Sequence, residues 1–152
     1  MLGLIAGVAA GCSGGPATFA LKSASVDASY DCPSGASDTP YIFHGTIDMT
    51  NGTSSSVTFK SVTAVMTLVA VKGPWLEKVG DRYAPSGVIS YISTLAAGAS
   101  TSAQVIIPSS CTRAPTTATE AIYGEYSVGF TVITNGGTYT VLSGNHHRII
   151  GG

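Results

Sequence analysis

From Tyr41 to Met49 the apolar residues Tyr41, Phe43, Ile47 and Met49, with Gly45 among them, fall on one parity. Ile42, His44, Thr46 and Asp48 fall on the other. A period of two sends these sets to opposite faces of an extended strand, because successive Cβ atoms point to opposite sides of the pleat. The same alternation returns at Ile122, Gly124, Tyr126, Val128, Phe130 and Val132. A helix at ~3.6 residues per turn would scatter either set around its cylinder. Outside an apolar leader, no segment keeps apolar residues at helical spacing over ten or more positions. The chain must therefore build its core from sheets covered on one face.

Further strand signals fill the remaining length. Ala24, Val26, Ala28, Tyr30 and Cys32 alternate with polar residues, predicting one first strand preceded by Phe19 and Leu21. Val57 to Val71 is long and β-branched, apolar on both faces towards its end, as a central strand would be. Val88 to Leu95 and Thr101 to Ile107 flank the turn at 96–99, and Asn135-Gly136-Gly137 signals a hairpin into Thr138 to Leu142. Asn51-Gly52-Thr53 matches a glycosylation sequon and is read as a turn. Charged residues make up only 10% of the chain, against roughly 25% in ordinary domains, so Ser, Thr and Gly carry the polarity. With 44% hydrophobic residues this is not a disordered composition; it suits strands with a polar, uncharged outer face. About seven strands in one domain over 18–152 predict an all-β, antiparallel sandwich, and their rhythm resembles the immunoglobulin-like ectodomains of bacterial lipoproteins and cell-surface proteins.

Leu2 to Ala10 is apolar, as long as a signal-peptide core and far short of the ~20 residues that span a bilayer. Small residues follow, and Ala9-Ala10-Gly11-Cys12 resembles the lipobox of bacterial lipoproteins. The resemblance implies that residues 1–11 are a signal peptide, that Cys12 receives lipid and becomes the mature N-terminus, and that 12–17 form a flexible tether. The implied partner is then a bacterial membrane, held through a lipid anchor, with the domain at the cell surface or in the periplasm. A cleaved secretory signal of the ordinary kind, or a strand with a merely buried cysteine, are the alternatives. If Cys12 is lipidated, Cys32 and Cys111 are left as an even pair, expected to form a disulfide in an oxidising compartment. Both lie beside turn-rich stretches, Cys32-Pro33-Ser34-Gly35 and Pro108-Ser109-Ser110-Cys111, which predicts a surface staple; two free thiols are the alternative.

A net charge of −1 gives no basic face for nucleic acid. Three histidines and eight carboxylates, mostly isolated, with no nucleophile elbow, phosphate loop, HExxH helix or CxxC pair, lead us to expect no catalytic residues and no cofactor. His146 and His147 are weak metal candidates, since neighbours on a strand point apart and His44 or Met49 would have to complete a site; a solvated strand end is the plainer reading. The segment 72–87 is different in kind. It gathers three of the seven basic residues and holds the only tryptophan, Trp75, with Leu76, Arg82 and Tyr83. Those residue types anchor interfaces, so the loop is the candidate surface for a protein or glycan partner; the alternative is that Trp75 and Leu76 plug one end of the sandwich. Together these features predict a membrane-anchored, extracytoplasmic, non-catalytic binding or structural module. A secreted subunit that self-assembles through its sheet edges is the first alternative, and a periplasmic metal-binding protein the weaker one.

Overall fold

The computed structural model describes residues 17–111 and 122–151; residues 1–11, Cys12 and most of the tether lie outside them. Among the described residues the strands are β1 (Phe19–Val26), β2 (Ser29–Asp31), β3 (Thr39–Asn51), β4 (Val57–Lys72), β5 (Arg82–Tyr83), β6 (Ile89–Ser90), β7 (Thr94–Leu95), β8 (Ser100–Cys111), β9 (Ile122–Thr134), β10 (Gly137–Leu142) and β11 (His147–Gly151). One sheet is ordered β1-β3-β8-β6 and the other β2-β11-β9-β4-β5. β10 shares the outer edge of β9 with β11, and β7 pairs with the start of β4. Lettered by position, these orders are A-B-E-D and A′-G-F-C-C′, the arrangement of an immunoglobulin-like sandwich. The fold is all-β with two facing sheets, as the alternation predicts.

The inward parity of the long strands forms the core. Phe43, Ile47 and Met49 from β3, Met66 and Leu68 from β4, Val105 and Ile107 from β8, and Val128, Phe130 and Val132 from β9 are each no more than 1% exposed. At ~1.5–3 kcal/mol for each fully buried side chain, this layer is the main driving force of folding. Gly45 sits among them because Phe130 lies over it from the opposite sheet: a Cβ at Gly45 would come within 2.8 Å of the Phe130 ring. On the outer face of the β3 sheet, polar residues pair across strands. Asp48 accepts from the hydroxyls of Ser23 (2.6 Å) and Ser102 (2.5 Å), Gln104 donates to Thr46, and Thr50 bonds Ser100. Those two hydroxyls, Ser102 foremost, hold the Asp48 carboxyl below the usual carboxylate range.

Four expectations are corrected. The predicted first strand divides: β1 lies antiparallel to β3, the chain turns at Asp27-Ala28, and β2 runs parallel to β11 in the other sheet, so the sandwich is not wholly antiparallel. Asn145 clamps that crossing, its amide donating to the Val26 carbonyl (2.7 Å) and accepting from the Val26 N–H (2.9 Å). Val88 to Leu95 holds two short strands, β6 and β7, which belong to different sheets. The end of β4 is not covered on both faces, since a register shift between Leu68 and Ala70 leaves Val69 and Val71 exposed. Cys32 and Cys111 are bonded, but not as a surface staple. Pro108 to Ser110 continue β8, and the two cysteines are 6% and 0% exposed within the core.

Candidate functional site

The segment that follows β4 is a built structure. Gly73 and Gly80 take φ of 75° and 100°, left-handed conformations that favour glycine, and bend the chain twice. The Gly80 N–H donates to the Leu68 carbonyl and the Leu68 N–H to the Asp81 carbonyl, while the Asp81 carboxylate accepts from the Lys78 N–H. β5 then pairs Arg82 and Tyr83 with Thr67 and Met66 of β4. The loop is thus stitched to its own parent strand.

Trp75 fixes the rest. Its indole lies on Gly124 of β9, where a Cβ would stand 2.5 Å from Cε2 and 2.6 Å from Nε1, so only glycine leaves room for the ring. Trp75 Nε1–H donates to the Tyr126 hydroxyl (3.1 Å), which donates in turn to Glu77 Oε2 (3.1 Å). Burial pushes the Tyr126 phenol well above its ordinary range, which keeps it a neutral donor. The candidate loop residues therefore divide. Trp75 is half-buried against the core, whereas Leu76 is 75% exposed, Tyr83 is 47% exposed and Arg82 is exposed.

Beneath the loop lies a crevice of about 140 Å³. Leu76, Glu77 and Tyr83 line it from the loop side, with Asp38, Ser109 and Ser110 from the loop before β3 and the end of β8, over Met66, Tyr126 and Ile149. Asp38 takes a φ of 51° and its N–H donates to the Cys111 carbonyl (3.0 Å), so its position is tied to the buried disulfide. Nothing in the local sequence relates Asp38 to Glu77. A glycine on the inward parity at position 124 was the available signal, because a gap in an apolar row implies a large side chain across from it.

The histidines part company. His147 is not at a solvated strand end: it is fully buried, stacked on Phe43 with ring centroids 4.0 Å apart. Nδ1 lies 2.7 Å from the Asp27 carbonyl and must carry the proton, so Nε2 accepts from the Tyr41 hydroxyl (2.9 Å). Burial lowers the His147 pKa and raises that of Tyr41 to about 12. Together with Asn145 it pins the crossing between sheets. His146 faces outward, 2.6 Å from Glu125, which Arg148 also bonds (2.8 Å) while lying over the Tyr123 ring. His44 pairs with Asp27 on the surface, and Met49 is buried in the core. Among the described residues no three His, Cys, Asp or Glu side chains are placed to hold one metal ion.

No protein-family model and no curated protein sequence matches the chain. Solved structures with a similar course include the ASH / PapD-like domain 7 of human CEP192, at 11% identity and a TM-score of 0.37, covering 99% of this chain and 97% of that one. AggA, the major subunit of aggregative adherence fimbriae type I from Escherichia coli, matches at 8% identity and a TM-score of 0.37 over 88% of this chain and 95% of that one. The Vibrio cholerae VesB protease matches at 15% identity and a TM-score of 0.26, over 83% of this chain and 31% of its own. The buried Cys32–Cys111 bond marks an extracytoplasmic protein, since such bridges persist in oxidising compartments.

Proposed function

We propose that the chain is an extracytoplasmic, non-catalytic binding module, tethered to a membrane through Cys12, that presents its 72–87 loop to a partner. One observation carries this reading: the chain enters at one end of the sandwich and the loop stands at the other. Ala17 and Thr18 lie beside Gly52, and Phe19 pairs with Asn51, while the crevice is lined by Asp38 at the far end of β3. The thirteen residues of β3 separate these ends by roughly 40 Å at ~3.3 Å per residue. A membrane anchor at Cys12 would thus leave the loop facing outward, with Leu76, Val79 and Tyr83 uncovered. Detergent partition and intact mass of the full chain test the anchor. The expected result is a detergent-phase protein cut before Cys12 and carrying acyl chains, and an aqueous Cys12→Ser variant. An aqueous wild-type protein without acyl mass would refute the tether.

A secreted, self-assembling subunit has a different observation in its favour. Between its pairings with β7 and β5, the outer edge of β4 from Lys60 to Val65 has no strand partner among the described residues. It borders a groove of about 320 Å³ with Val88, Ile89 and Ile92. A bare edge can add a strand from a second copy. Sedimentation would then show assembly in the wild type that a Val62→Pro variant loses.

A further inference from the structure

The geometry points to the cationic end of an arginine or lysine side chain, carried by a protein partner, as the occupant of the crevice beneath the 72–87 loop. This deepens the binding reading above and rests on it. The crevice, at about 140 Å³, is close in volume to a cavity that admits a benzene ring, which suits a guanidinium or ammonium group with its last methylenes. Its lining is amphiphilic in the way such a side chain is. Met66, Ile149 and Leu76 offer apolar wall to the stem, Tyr83 offers a partly exposed ring, and Asp38 and Glu77 bring carboxylates from two separate segments. No lysine or arginine is among the described residues that line it. An apolar ligand would strip water from two carboxylates without replacing it, and an anion would be repelled. A cation gains charge-assisted hydrogen bonds and a ring face together.

The site is also held ready. Glu77 accepts from Tyr126, which Trp75 locks through its seat on Gly124, and Asp38 is fixed by its backbone bond to Cys111. The Glu77 carboxylate and the Asp38 backbone are thus already placed, which lowers the ordering that binding requires. Projection from the end opposite Ala17 leaves the crevice open to a partner beyond the sandwich.

Capped pentapeptides Gly-Gly-Arg-Gly-Gly and Gly-Gly-Lys-Gly-Gly, titrated into the full chain in detergent micelles and followed by amide NMR, test the proposal. Both should shift the signals of Asp38, Leu76, Glu77 and Ser110 saturably, and more weakly as salt rises. A chain with Asp38→Asn and Glu77→Gln should bind at least about tenfold more weakly with an unchanged melting transition, since asparagine tolerates the left-handed backbone and glutamine can still accept from Tyr126. The proposal is overturned if the Gln-centred peptide shifts the same signals equally, if the cationic peptides move nothing, or if the double variant binds like the wild type. Shifts with maltose and not with the peptides would make the crevice a glycan site and also overturn it. Each of these failures leaves the detergent partition of the chain untouched, so loss of the tether and loss of the cation site are separately visible.

Discussion

A methyl group at position 124 is a sharp test of how the loop is held. In Gly124→Ala the new Cβ would begin 2.5 Å from Trp75 Cε2, so the ring must withdraw by about 0.9 Å to reach an ordinary 3.4 Å contact. That movement breaks the 3.1 Å hydrogen bond from Trp75 to Tyr126, worth about 1 kcal/mol. Overpacking adds about 1–3 kcal/mol, and the stiffer unfolded chain returns about 0.4–1 kcal/mol. The expected net loss is about 2 kcal/mol, or roughly 4–8 °C in melting temperature at this chain length. In a Trp75→Ala background the same methyl enters vacated space, and its effect should fall between neutral and slightly stabilising. Urea unfolding followed by far-ultraviolet circular dichroism suits all four proteins of the cycle, because Trp75 is the only tryptophan and its fluorescence is lost with it. A coupling of about 2 kcal/mol is expected between the two positions. Additivity within about 0.5 kcal/mol would refute the seat of Trp75 on Gly124 and, with it, the bracing of Glu77.

Three further outcomes follow from buried polar groups and the disulfide. Burial lowers the His147 pKa in the folded protein, so stability should be complete above the unfolded value of about 6.5 and fall as pH drops below it, with a slope of at most ~1.4 kcal/mol per pH unit. Urea titrations at pH 7.5, 6 and 5 should show that slope flattened in His147→Gln; equal slopes in both proteins would sink the assignment. Replacing Cys32 and Cys111 together by alanine reopens a loop of 79 residues and should cost about 4–5 kcal/mol, read from the shift in the urea midpoint. Asn51 is fully buried, and its amide donates towards the carbonyls of Ser55, Leu95 and Ala96, so Asn51→Ala should lose about 2–3 kcal/mol in the same assay.

Much of the fold was legible because alternation is a local property. Which of Tyr41 to Met49 and Ile122 to Val132 face inward depends only on the pleat and on apolar side chains leaving water, and the structure buries the inward set. Where a strand changes partner, the pattern runs on without a mark. Ala24 to Cys32 alternates through the crossing at Asp27, yet β1 and β2 lie in different sheets, because Asn145 and His147, more than a hundred residues away, supply the bonds that hold the turn. His147 looked like a surface residue since its buried partners, Tyr41 and the Asp27 carbonyl, come from other strands.

The chemistry of the candidate site divides in the same way. Sequence alone marked 72–87 as a loop rich in anchoring residues and paired the two cysteines by count. The tertiary structure decided that Trp75 turns inward onto Gly124 while Leu76 and Tyr83 stay outside, and that the cysteines join within the core. It also brought Asp38 to Glu77, two carboxylates that nothing in their local sequence relates. Periodicity is fixed by the geometry of a single strand, whereas a crevice exists only where distant segments are packed side by side.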